Sequence, residues 1–325
     1  MKVGSTFSGV GGFDLGLERA GMQILWQAEI DQWCRRVLES HWPDIKIYND
    51  VKEIHDSAEP VELLVGGFPC QDVSLAGRRA GIEEGERSSL FYEFSRIAEE
   101  LQPKWFLLEN VYGLLSSSNG RDFGTVLSEM GKIGYGIGWR VLDARFFGVP
   151  QRRRRVFIVG SLGEGGRERA VRALGAGGEG DLETSRCSWQ KDSTGTEECF
   201  GEAGRKVIAN ALDRQAGGAD DNSAQANHLV TQKFINTLQG GSNDRGYRID
   251  AEAAAGGQLL QMSESTVRRL TPRECERLMS WPDDWTKIDG DKTPDNRRYG
   301  ACGNGVVSNV SEWIARRIMA IENEQ

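Results

Sequence analysis

Apolar and polar positions alternate in short blocks through the first 160 residues. Runs at Lys2–Phe7, Gln23–Ala28, Ile45–Tyr48, Val61–Val65, Trp105–Leu108, Arg140–Ala144 and Val156–Gly160 are extended in character. Their length and their β-branched and aromatic content predict strands. Helical segments are expected near residues 14–20, up to Val37, over Phe91–Leu101 and over Thr125–Ile133. Strict strand–helix alternation with short connections predicts an α/β fold built on a doubly wound, largely parallel sheet.

The pattern changes after Ser161. Residues 161–260 are rich in glycine, lack proline and show weak periodicity. A second, smaller, loop- and β-rich domain is expected there. Two similar segments, Lys206–Leu212 and Lys233–Leu238, suggest a pair of β-hairpins. Regular structure returns at Thr271-Pro272-Arg273-Glu274, where Thr suits an N-cap and Pro the first helical position. An amphipathic helix should run from Val306 to about Glu322. The expected division is residues 1–165 plus 296–325 for the first domain and 166–295 for the second.

The bulk properties narrow the possibilities. A chain of 325 residues holds a large domain and a smaller one. No apolar run approaches the roughly 18 residues of a membrane span, and the N-terminus lacks a signal-peptide core. A cytoplasmic protein with no membrane association is expected. The six cysteines form no Cys-x-x-Cys pair, and only three histidines could join them. Neither a metal site nor a disulfide framework is expected. The net charge of −8 opposes bulk attraction to nucleic acid, so local basic clusters must supply it. These are Arg78-Arg79, Arg152 to Arg155, Arg268-Arg269 and Arg297-Arg298.

Candidate chemistry collects at strand ends, where open α/β sheets bind ligands. Phe7-Ser8-Gly9-Val10-Gly11-Gly12 follows the first strand, Glu29 ends the second and Asp50 follows the third. Glycines let backbone approach a ligand, and an acid after the second strand suits ribose hydroxyls. Asp50 suits an adenine amine. Together they describe an adenosyl site. No Gly-Lys-Ser/Thr follows, so this is not a triphosphate loop.

The fourth strand runs into Gly66-Gly67-Phe68-Pro69-Cys70-Gln71. A lone cysteine is commonly a small buried hydrophobe. Its place between Phe-Pro and Gln-Asp, just past a strand, makes Cys70 a candidate nucleophile. Glu109 directly follows Trp105-Phe106-Leu107-Leu108, where desolvation raises a carboxyl pKa and suits it to proton sharing. Gln151-Arg152-Arg153-Arg154-Arg155 enters another strand.

These segments, with Glu109-Asn110-Val111, Arg269 to Cys275 and Gly303-Asn304-Gly305-Val306-Val307, resemble the ordered motifs of the cytosine-C5 DNA methyltransferases. The likeness spans nearly the whole chain apart from roughly 161–265, which corresponds to that family's variable target-recognition region. It implies a Rossmann-like domain that uses S-adenosylmethionine and double-stranded DNA. Cys70 would add to C6 of a flipped cytosine. Glu109 would hold N3 and the exocyclic amine, and Arg153 would contact O2 with Arg155 in support. Phe7, Gly9, Gly11, Gly12, Glu29, Asp50, Pro69 and Asn304 would hold the cofactor. Asn304 would bring the chain's end back to the first domain. A loop from Gln71 to about Ser89 would close over DNA, with Gln71, Ser74, Arg78, Arg79 and Arg87 as contacts. A monomer is expected, and the likeness admits a companion restriction endonuclease in a bacterial or phage setting. The family often carries an acid at the place of Ser5, so contacts at the methionine end of the cofactor should differ.

Three other readings compete. A tRNA cytosine methyltransferase would share the same core. A nicotinamide-dependent dehydrogenase fits the glycine loop and Glu29, yet leaves Pro69-Cys70-Gln71 and the arginine run unexplained. A catalytically silent DNA-binding module conflicts with the intact motifs. Neither the target sequence nor the residues that read its bases are legible from the chain.

Overall fold

The computed structural model describes residues 1–69, 90–175, 270–288, 290 and 294–324, together with the backbone of short strands between 188 and 269. Cys70, Gln71, Ser74, Arg78, Arg79 and Arg87 lie outside the described residues, as does most of 176–258.

The elements in chain order are β1 (Lys2–Thr6), α1 (Gly12–Arg19), β2 (Gln23–Ala28), α2 (Gln32–His41), β3 (Lys46–Tyr48), β4 (Leu63–Gly66), α3 (Leu90–Leu101), β5 (Trp105–Val111), α4 (Arg121–Lys132), β6 (Tyr135–Asp143), β7 (Gln151–Arg152), β8 (Arg154–Leu162) and α5 (Gly166–Ala173). After several short strands come α6 (Pro272–Leu278), α7 (Asp295–Asn304) and α8 (Ser308–Asn323).

Seven strands form one sheet in the order β3-β2-β1-β4-β5-β8-β6. The expected parallel arrangement holds from β3 to β5. β8 is the exception, running antiparallel to both β5 and β6. Strand order reverses between β1 and β4, which makes their C-terminal ends the switch point where such sheets bind ligands.

Both faces of the sheet are covered, because alternate residues point to opposite sides. Leu63, Val65, Trp105, Leu107, Phe157 and Val159 pack with Phe13 and Leu17 of α1 and Val310, Ile314 and Ile318 of α8. Leu64, Phe106, Leu108, Val156 and Ile158 pack with Phe91, Phe94 and Ile97 of α3 and Val126 and Met130 of α4.

The core passes the boundaries expected at 165/166 and 295/296. α5 packs on β6 and β8, and Leu270, Cys275, Leu278, Met279, Trp281 and Trp285 belong to the first apolar cluster. Of the two segments expected as hairpins, the described residues are Lys206–Val207 and Ile235–Asn236. Ile235–Asn236 pairs in parallel with β7, whereas Lys206–Val207 does lie in an antiparallel sheet.

The C-terminal return is tightly made. Ser308 Oγ donates to the carbonyl of Gly12 at 2.8 Å, and Trp105 Nε1 donates to Glu322 at 2.9 Å. α6 starts as expected, with a capping box between Thr271 and Glu274 and Pro272 at its first turn.

Candidate active site

The loop after β1 is shaped by its glycines. Phe7 and Gly9 have φ of 52° and 57°. Gly11 has φ of 83°, and a Cβ there would meet the Trp42 ring at 2.4 Å, so only glycine fits. A Cβ on Gly9 would meet nothing within 4 Å, which leaves an open side to the loop. Trp285 braces the loop from the far end of the chain: its indole N–H donates to the carbonyl of Val10 at 2.8 Å.

Glu29 follows β2 and closes the loop's base. One carboxylate oxygen accepts from the Gly9 amide and the other from the Asp31 amide, both at 2.8 Å. Burial raises its pKa, against the pull of those amides. Ile30, the next residue, is an apolar side chain left 74% exposed. Asp50 caps the short turn after β3, accepting from the Lys52 amide at 3.0 Å. Asn304 is the exposed last residue of α7, and Pro69 is exposed at the end of the described β4 turn.

A carboxylate fixed against the loop, an exposed apolar side chain beside it and open space at Gly9 fit a cofactor with an adenosyl group. Glu29, Ile30 and the Phe7–Gly12 backbone are the groups positioned to hold it.

The second half of the site lies across the switch point. Glu109 belongs to β5 rather than following it. A Cβ on Gly67 would stand 3.5 Å from Glu109 Oε2, so the acid borders the turn that leads to Cys70. Asn110 fixes that turn, donating from Nδ2 to the Phe68 carbonyl at 2.8 Å. Sequence reasoning assigns Asn110 no role, although its place beside Glu109 is a signal.

The reversal of β8 explains how an arginine reaches this edge. Antiparallel pairing sets Arg155 opposite Val111, at the C-terminal end of β5. Arg155 Nε then lies 2.9 Å from Glu109 Oε1. The contact is charge–charge, since Oε1 has no aligned hydrogen bond. Burial pushes the Glu109 pKa up, and Arg155 and then Arg153 pull it back.

The expectation places Arg153 at the base and Arg155 in support. In the structure it is Arg155 that contacts Glu109, while Arg153 is engaged elsewhere. Arg153 sits in the one-residue break between β7 and β8, only 2% exposed. Its Nη2 donates to the carbonyls of Gly303 and Gly305 at 2.9 and 2.6 Å. Burial and the neighbouring Arg155 lower its pKa to about 9. It therefore ties the β8 end to the segment around Asn304. Arg154 is exposed and lies over the Tyr112 ring at 4.3 Å.

The family model for C-5 cytosine-specific DNA methylases matches residues 1–320. The chain belongs to that family. It is 30% identical to the Type II methyltransferase M2.BsuMI of Bacillus subtilis, over 98% of this chain and 75% of the relative. It is 27% identical to M.HhaI of Haemophilus parahaemolyticus, over 96% and 92%. Among solved structures, the fold is similar to the S. pombe Dnmt2 methyltransferase (TM-score 0.62, 17% identity, 99% of both chains). It is also similar to the Entamoeba histolytica methyltransferase EhMeth (0.60, 14%, 99% and 98%). As a C5-cytosine DNA methyltransferase it is an S-adenosylmethionine-dependent enzyme. Among the described residues no helix is long and apolar enough to cross a membrane, and no group of side chains is set to hold a metal.

Proposed function

We propose that this methyltransferase modifies one flipped-out cytosine within a specific duplex DNA sequence, with Cys70 as the nucleophile. The observation that carries the reading is the Glu109–Arg155 pair bordering the turn that leads into Cys70.

C5 of cytosine is a weak nucleophile. Addition of the Cys70 thiolate to C6 breaks the ring's aromaticity, and the released electron pair makes C5 an enamine carbon. Negative charge then gathers toward N3 and O2. Glu109, whose proton affinity burial raises, takes up a proton and donates it in a hydrogen bond at N3, and Arg155 meets O2. Arg153 acts behind them by holding the Gly303–Gly305 segment against β8. S-adenosylmethionine, when bound, supplies the electrophilic methyl group. C5 would take that methyl as the methyl–sulfur bond breaks; passage of the C5 proton to a base such as water and departure of the Cys70 thiolate from C6 then restore the C5–C6 double bond.

The target carbon is unreachable in a stacked duplex, so the base leaves the helix at a cost of a few kcal/mol. Arg78, Arg79 and Arg87 are the cations proposed to offset it at the phosphates. The region between α5 and about residue 265 is proposed to read base edges.

Methyl transfer to duplex DNA and to tRNA, followed by bisulfite sequencing of the DNA, tests this. Modification of one repeated sequence context in DNA is expected. Preference for tRNA, or scattered cytosines, contradicts it. Cys70→Ala should abolish turnover and keep DNA binding.

A further inference from the structure

One buried charge takes no part in the chemistry described so far. Asp14, in the first turn of α1, is fully buried beneath the cofactor loop. Among the described residues no hydrogen bond or ion pair joins it to a cation. Its contacts come from two strands. Ser5 of β1 and Gln27 of β2 are register partners, and both reach Asp14. Ser5 Oγ lies 3.2 Å from Oδ2, and Gln27 Nε2 donates to Oδ1 at 2.8 Å. The charge that acts on it is Glu18, which has the same sign.

The hydroxyls form a directed chain. An ionised carboxylate only accepts, so Ser5 must donate its proton to Asp14. Ser5 Oγ can then only accept from its neighbour Ser8, whose Oγ is 2.9 Å away. Ser8 also reaches the Ser5 carbonyl at 3.1 Å, so either way its proton points inward. Its lone pairs are left as the outer end of the chain. Ser8 lies in the glycine loop, beside Gly9 and its open side. The chain therefore presents a polarised acceptor, backed by an unneutralised carboxylate, where the loop meets its ligand. A cationic donor suits that end, and the ammonium group of the cofactor's amino-acid part is one.

We propose that Asp14 is a positioning residue for the amino-acid end of S-adenosylmethionine, acting through the Ser5 and Ser8 hydroxyls. The acid that position 5 lacks is thus supplied from α1. This rests on the reading of the Phe7–Gly12 loop as the cofactor site.

Calorimetric titration with two ligands tests it without turnover. S-adenosylhomocysteine carries the ammonium group, and methylthioadenosine keeps the adenosine and sulfur but lacks the amino acid. Asp14→Asn and Ser8→Ala should each weaken S-adenosylhomocysteine about tenfold, as expected for a charge-assisted contact. Methylthioadenosine affinity should not change. In Asp14→Asn, the second change Ser5→Asp should restore the lost affinity. Equal weakening of both ligands, or no weakening, overturns the proposal. If Asp14→Asn does not fold, Ser8→Ala carries the same comparison. Failure of the native chain to bind either ligand would instead sink the cofactor-site reading itself.

Discussion

A charge buried without a counter-ion should cost stability, and Asp14 allows that cost to be measured. Burial lifts its carboxyl from 3.8 to about 6, with Gln27 and Ser5 only partly opposing. A rise of that size sets the ionised form about 3 kcal/mol further above the neutral one than in water. The folded value is raised, so this contribution is fully present below 3.8 and is lost as pH climbs to about 6. At neutral pH the native chain should bear the whole cost. Asp14→Asn keeps the volume and cannot ionise. Its amide N–H₂ would face Gln27 Nε2, but rotating the Gln27 amide presents Oε1, which is buried and has no partner. Urea unfolding of both proteins between about pH 4 and about pH 7.5 should show the variant gaining some 2–3 kcal/mol relative to the native chain. A difference that does not move with pH would mean that Asp14 is not ionised against its burial, and the cost assigned to it would vanish. A protein that keeps a charge at such expense has a use for it, consistent with the cofactor role proposed above.

Other consequences are as direct. Glu109→Gln should keep DNA binding yet lower kcat by about 10²–10³, the scale of losing one preorganised donor, in single-turnover methyl transfer. Arg155→Ala should slow the chemical step in that same assay by more than Arg154→Ala does, since Arg155 is the one that meets Glu109. Arg298→Met should destabilise the fold by about 3–5 kcal/mol in urea unfolding. It strands Glu276, which is fully buried and receives Arg298 Nη2 at 2.9 Å.

The parallel half of the sheet is legible in the sequence because its strands are continuous apolar runs closed by glycine, proline or acid. Strand direction is not. Val156–Val159 reads the same whichever way β8 runs, and only its pairing with β5 and β6 reveals the reversal. That reversal carries Arg155 to Glu109. That Arg155 rather than Arg153 contacts Glu109 follows from the break at residue 153, where strand alternation lapses. α5 is hard to see because Gly166-Arg167-Glu168-Arg169 shows little apolar periodicity, and its helix is fixed by packing on β6 and β8. Asp14 looks like an ordinary acid in a helix's first turn. Its burial depends on Ser5 and Gln27 meeting across two strands, which no local pattern displays.

The proposed chemistry stands on a transient bond between Cys70 and a cytosine outside its helix. A duplex carrying 5-fluorocytosine at the target can trap that bond, because fluorine cannot leave as the proton does. With S-adenosylmethionine present, a DNA–protein adduct should survive denaturing electrophoresis and map by peptide mass spectrometry to Cys70. No adduct on a duplex containing the bisulfite-mapped sequence, or an adduct at another residue, would contradict it.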